Sequence, residues 1–333
     1  MTRLPLLVLA LWLAGCASDT PPEGPAAAEE SAAAPQREQR RFEIEYRVQL
    51  EAPAGQQTRL WIPLPRDDDH QRITNLKVVA AWPQRAGEDT RGNRILYLEG
   101  EGAGQPVEVS VRYTVFRQAR RVDLSRRASD ERLSDPAPYL RGSKLLVVDE
   151  EIRAVHAKVT PAGADPLAKA RAYYDHVREH MSYDKSGEGW GRGDSVYACE
   201  VGKGNCTDFH SYFQALCLVE GIPTRFAIGL YGAYEPRSEP YTTGGYHCWA
   251  EFFVDGRGWI PVDISEADKH PERAEQFFGG HSANRVTLSR GRDITLEPAQ
   301  AGPPLNYFVN PYAEAGGKPL AASKTVTWTD LAP

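Results

Sequence analysis

Three residues far apart in the chain have the types needed for cysteine nucleophile chemistry. Cys206 lies in Gly204-Asn205-Cys206-Thr207-Asp208-Phe209-His210. His247 lies in Gly245-Tyr246-His247-Cys248-Trp249-Ala250-Glu251, and Asp263 ends Trp259-Ile260-Pro261-Val262-Asp263. A thiol reacts as its thiolate, so it needs a base and a positive environment. An imidazole base needs a third group to fix its tautomer and stabilise its charged form. Taken singly, each residue fits a structural role: a small buried core thiol, a strand histidine, a turn aspartate.

The elements that must position them can be read locally. A helix is expected from about Cys206 to Glu220, stopped by Gly221 and Pro223. A thiol at its first residue would feel the partial positive charge and free N–H groups of the helix start. Those N–H groups could also receive an oxyanion, and Gly202 and Gly204 would let a substrate approach the backbone. Asp208 is expected to serve the helix start or a buried polar contact. Tyr246 to Val254 and Gly258 to Ile264 read as a hairpin around Asp255-Gly256-Arg257. An odd-length loop places Asp263 opposite Trp249 and diagonal to His247 on one face, roughly 7–8 Å apart at Cα. An even-length loop would put them on opposite faces. His210, one turn after Cys206, is the competing base, although the sequence places no carboxylate to orient it.

The ordered blocks Gly-Asn-Cys-Thr-Asp, Gly-Ile-Pro-Thr-Arg-Phe, Tyr-His-Cys-Trp-Ala-Glu and Gly-Trp-Ile-Pro-Val-Asp resemble the bacterial transglutaminase-like superfamily. The match covers about residues 165–268. It implies an α+β fold whose papain-like core packs the cysteine helix on an antiparallel sheet. It also implies Cys206 as nucleophile, His247 as base and Asp263 as orienting carboxylate, with acyl transfer from a protein or peptide amide. Bacterial members are often regarded as proteases or amidases, which favours hydrolysis over crosslinking. The second oxyanion donor has no motif that maps here; Tyr197 is a guess. The reading from another class is a non-catalytic envelope binding or assembly module on the same fold.

Around this core, residues 41–118 read as a small β-sandwich. Phe42, Ile44, Tyr46, Val48 and Leu50 alternate with polar residues, as do Val107, Val109, Val111, Tyr113 and Val115. Shorter strands are expected near 59–64, 76–82 and 94–98. Residues 119–148 are an irregular connection whose charge run fits a solvated surface. The core occupies 149–282, with a helix entering at Asp165-Pro166, and 283–333 reads as a β-rich C-terminal extension. Gly187 to Asp194 is glycine-rich but lacks both a phosphate-loop ending and the spaced carboxylates of a calcium loop.

The first residues carry targeting signals. Arg3, an apolar run from Leu4 to Leu13 and then Leu13-Ala14-Gly15-Cys16 resemble a lipoprotein signal over 1–15 with lipidation of Cys16. In an organism with two membranes, Ala17 follows the cysteine and Asp19 comes too late to retain the protein at the inner membrane, so an outer-membrane anchor facing the periplasm is expected. Residues 16–40 are Ala-, Pro-, Glu- and Gln-rich and read as a disordered tether. The net charge of −6 gives no reason to expect nucleic acid. If Cys206 stays reduced, Cys199, Cys217 and Cys248 allow at most one disulfide, and the sequence chooses no pair. Their irregular spacing argues against zinc, and no metal or cofactor is expected.

Overall fold

The computed structural model describes residues 39–127 and 131–332. The expected signal peptide, the expected lipidation site at Cys16 and nearly all of the expected tether lie outside the described residues.

Alternation builds the first layer. In Gln39–Glu51, Phe42, Ile44, Tyr46, Val48 and Leu50 all point inward and are buried, as a half-buried strand requires. This strand sits at the middle of a five-stranded sheet. The order is Tyr241–Thr242, Ala322–Asp330, Gln39–Glu51, Pro106–Gln118 and Gln71–Ala80, with every pairing antiparallel. A second five-stranded sheet runs Lys318–Leu320, Tyr312–Ala315, Gln57–Leu64, Arg94–Glu101 and Gln84–Glu88. Leu60, Ile62, Leu96 and Leu98 from the second sheet share one apolar core with Phe42, Ile44 and Tyr46 from the first. Gln84–Glu88 was not expected from the sequence; its side chains are mostly exposed and carry no apolar alternation.

A third sheet has four antiparallel strands, ordered Gly258–Val262, His247–Val254, Thr224–Tyr231 and Arg285–Arg290. The helix Cys206–Glu220 packs on it, with Phe213 edge-on to Phe252 at 5.9 Å between ring centres. No charged residue lies between Asp208 and Glu220, and every residue from Cys206 to Cys217 is buried. A helix apolar on all sides belongs in the interior. The helices Glu150–Val159 and Pro166–His180 cover it, each opened by an aspartate cap, Asp149 or Asp165. A short helix, Ser195–Val201, was missed because it spans too few residues to show a period. Among the described residues no helix is long and apolar enough to cross a membrane.

Segment 283–333 does not form a separate extension. It supplies Arg285–Arg290 to the core sheet, Tyr312–Ala315 and Lys318–Leu320 to the second sandwich sheet, and Ala322–Asp330 to the first. Apolar alternation predicts a strand but not its partner, so these long-range pairings were not readable. Trp328 fixes the last return: it is fully buried and stacked on Phe42 at 3.8 Å. Trp328→Ala is expected to cost about 3–5 kcal/mol, read as a lower urea midpoint with an unchanged denaturant slope.

Candidate active site

Cys206 is the first residue of its helix because Asn205 stops the extended chain and caps it. The Asn205 side chain accepts from Thr207 N at 2.9 Å, and Asp208 Oδ2 accepts from Asn205 N at 2.9 Å. This is a reciprocal capping box. The same Asp208 carboxylate accepts from Gly191 N at 2.6 Å and Gly193 N at 2.9 Å. Those glycines have φ of 81° and 63°, where a side chain would be strained. The glycine-rich loop therefore wraps a buried carboxylate beside the thiol. Burial pushes the Asp208 carboxyl up, against the pull of its three N–H donors.

Gly202 and Gly204 serve this framework, which differs from the substrate approach expected of them. Gly202 is the left-handed cap of Ser195–Val201, with φ of 65°. A Cβ on Gly204 would collide with the Asp208 carboxylate.

His247 and Asp263 are joined through the hairpin. Val254 pairs with Gly258 around the three-residue loop, and Ala250 pairs with Val262. One step further places Asp263 opposite Trp249 and diagonal to His247. His247 Nε2 lies 2.8 Å from Asp263 Oδ2, and both side chains are buried. A carboxylate only accepts, so Nε2 carries the proton and donates. Nδ1 is the ring nitrogen left available to the Cys206 thiol. Asp263 occupies the cap position of the helix Ile264–Lys269 but makes no side-chain cap bond. Its oxygens are committed elsewhere.

The charges follow from these contacts. The neighbouring Cys248 and then His247 hold the Cys206 thiol well below its ordinary value despite burial. Burial works against a charged His247, but Asp263 and Cys206 outweigh it and raise the ring to about 9. Both directions favour a thiolate–imidazolium pair over the neutral thiol and imidazole.

Residues 153–264 match the family model for the transglutaminase-like superfamily, a span that contains Cys206, His247 and Asp263. That segment is a transglutaminase-like domain. An uncharacterized protein of Haemophilus influenzae is 27% identical over 320 residues, covering 84% of this chain and 87% of its own. A candidate cysteine protease from Cytophaga hutchinsonii has a similar fold, with a TM-score of 0.61 and 17% identity over 90% of this chain and 93% of that one. The periplasmic domain of TgpA from Pseudomonas aeruginosa is more distant, with a TM-score of 0.37 and 15% identity over 72% of this chain and 92% of its own.

The transglutaminase-like core has further parts that were not read from the sequence. Arg285, fully buried, places its guanidinium 2.9 Å from Asp263 Oδ2. Its charge rests over the Trp249 ring at 5.0 Å and the Tyr231 ring at 5.4 Å. Burial raises the Asp263 carboxyl, but His247 and then Arg285 reverse this and hold it far below the usual carboxylate range. No local motif marks Arg285; it reaches the site only through strand pairing in the transglutaminase-like sheet.

His210, the competing base, is bound differently. Its Nε2 accepts from Ile264 N at 3.0 Å, and its Nδ1 lies 3.5 Å from Cys248 Sγ. Asp263 Oδ1 lies 3.9 Å from the same Nε2, so a carboxylate is near, although none was expected. The backbone donor occupies that lone pair, and burial lowers the ring to about 4. His210 is therefore a neutral, fixed side chain. Cys199, Cys206, Cys217 and Cys248 are all free and buried. Among the described residues the buried Tyr197 hydroxyl has no hydrogen-bond partner, and its ring packs against Gly189.

Proposed function

We propose that this chain is a cysteine acyl-transfer enzyme acting on protein or peptide amides in the cell envelope, with hydrolysis favoured over crosslinking. One observation carries the reading: a buried carboxylate holds the His247 imidazole at 2.8 Å, while Cys206 opens a capped helix in the same core. In the proposed reaction the Cys206 thiolate attacks the amide carbonyl carbon, and the carbonyl π pair moves onto oxygen. The helix-start N–H groups face the resulting oxyanion. Collapse expels the amine, which takes the proton from His247 Nδ1 and leaves a thioester on Cys206. Water then gives a proton to Nδ1 and attacks the thioester, releasing a carboxylic acid and regenerating the thiolate. An amine in place of water would give a new amide. Lipidation of Cys16 would tether the enzyme to the outer membrane, facing the periplasm.

A second reading is supported by one observation: Cys206 is only 2% exposed, as suits a non-catalytic module. Comparative mass spectrometry of envelope proteins separates the outcomes, using cells with native protein and with Cys206→Ala. Cleavage products that vanish in the variant support hydrolysis, and isopeptide crosslinks that vanish support transfer. Identical profiles favour the module.

A further inference from the structure

The four-stranded sheet has a second face. Ala250 and Phe252 of His247–Val254 pack in the core with the cysteine helix, so alternation turns Trp249 and Glu251 the other way. There a cavity of about 250 Å³ opens between this face, the end of Pro106–Gln118 and the turn before Gln71–Ala80. Its volume is far above the roughly 10–15 Å³ that admits one water. None of Cys206, His247 and Asp263 lines it.

The wall carries more positive charge than it neutralises. Glu251 accepts from Arg120 at 2.9 Å and from Arg225 at 2.7 Å. Asp68 pairs with Arg290 at 2.9 Å and lies 3.9 Å from Arg117. Four guanidiniums thus share two carboxylates. The outer lining groups Asp69, Glu131 and Arg257 leave the sign of this surplus unchanged. Burial pushes the His70 and His281 rings down, and nearby arginines add to it, so both are neutral. Burial also lowers Arg117 to about 10; Asp68 opposes this, while Arg285, Arg290 and Arg120 add to it.

The unmet groups on this wall are all donors. Among the described residues, Arg117 Nε, Arg290 Nε, Arg257 Nη1 and Trp249 Nε1 are buried without a hydrogen-bond partner, and each can only donate. His281 joins them. Arg117 Nη2 lies 3.4 Å from His281 Nε2. A guanidinium only donates, so Nε2 accepts and Nδ1 carries the ring proton. That Nδ1 is buried and without a partner as well. Arg117, His281 and Trp249 are each at most 2% exposed, where an unmet donor is costly. A ligand that accepts hydrogen bonds and carries negative charge answers both deficits.

We propose that this cavity binds a dianion of the phosphate class, held by the N–H groups of Arg117, Arg290, His281 and Trp249. The site is separate from the thiol and does not depend on the acyl-transfer reading. It is joined to the catalytic face through Trp249, whose ring centre lies 5.5 Å from that of His281 and 6.5 Å from that of His247.

The test is isothermal titration of the full chain near neutral pH with two probes, inorganic phosphate and glycerol 3-phosphate. Saturable binding at a single site is expected. It should persist at about 0.15 M salt, because buried charges are screened less than exposed ones. Arg117→Met and Trp249→Phe each remove one unmet N–H. Each is expected to weaken binding by about tenfold or more, the worth of one hydrogen bond to a charged group. Trp249→Phe keeps every charge and an aromatic ring, so it decides the matter if Arg117→Met fails to fold. Tighter binding of the ester would place the ligand's source in a phosphorylated molecule; tighter binding of the free ion would place it in inorganic phosphate. A cavity that holds water alone would give no saturable binding up to about 10 mM of either probe, and that overturns the proposal. Binding that salt abolishes, or native affinity in Trp249→Phe, overturns it too.

Discussion

Cys206→Ala is expected to abolish amide turnover, with a loss in kcat on the order of 10⁶ relative to the native enzyme. Without the thiol no thioester forms, and His247 has no nucleophile to discharge. The same logic grades the supporting carboxylate. Asp263→Asn leaves a side chain of the same shape but removes the charge that stabilises the imidazolium. A fall in kcat of about 10⁴ is expected, with little change in KM because Asp263 contacts no substrate in the proposed reaction. The pH profile supplies an independent check. In the native protein His247 is held at about 9, so activity should fall on the alkaline side as the ring loses its proton. Removing the negative partner destabilises the charged ring. The alkaline limb in Asp263→Asn should then move down towards the ordinary histidine value of about 6.5. A profile that stays in place would mean that Asp263 does not set the charge of His247.

Arg285→Met carries the second large effect. Arg285 is fully buried and paired to Asp263 at 2.9 Å. Removing one partner of a buried pair strips compensation from the other, a loss of about 3–5 kcal/mol. The expected readout is a lower urea midpoint together with reduced activity, since Asp263 loses one of the two cations that hold it ionised. A double-mutant cycle tests the cause. With Asp263→Asn in place there is no buried charge left to strand, so adding Arg285→Met should cost much less than it does alone. Additive losses would place the Arg285 contribution in its packing over Trp249 and Tyr231 instead.

The site was largely legible because its information is local. The start of the cysteine helix was written in Asn205, Cys206 and Asp208. The parity of the hairpin followed from a three-residue loop, and the observed register of Ala250 against Val262 satisfies it. Residues that arrive through long-range pairing were not legible. Arg285 reads as an ordinary strand residue until Tyr231 is found opposite it. Cys248 and His210 belong to different elements and meet only when the helix packs on the sheet. The capping box was partly legible: Asp208 suggested a helix-start role, while its grip on Gly191 and Gly193 needed the loop's path. At the level of the fold, alternation identified the inward faces of the sandwich strands. It could not say that Ala322–Asp330 returns to pair with Gln39–Glu51, because a strand's period carries no label for its partner.

The central claim is that Cys206 is an activated nucleophile despite being buried. The most direct measurement is intact-mass and peptide-mapping analysis of the reduced protein after exposure to a thiol-reactive electrophilic amide near neutral pH. The account predicts a single adduct, mapped to Cys206, formed much faster than on denatured protein and absent from Cys206→Ala. Adducts spread over Cys199, Cys217 and Cys248, or a native Cys206 no faster than the unfolded one, would contradict it.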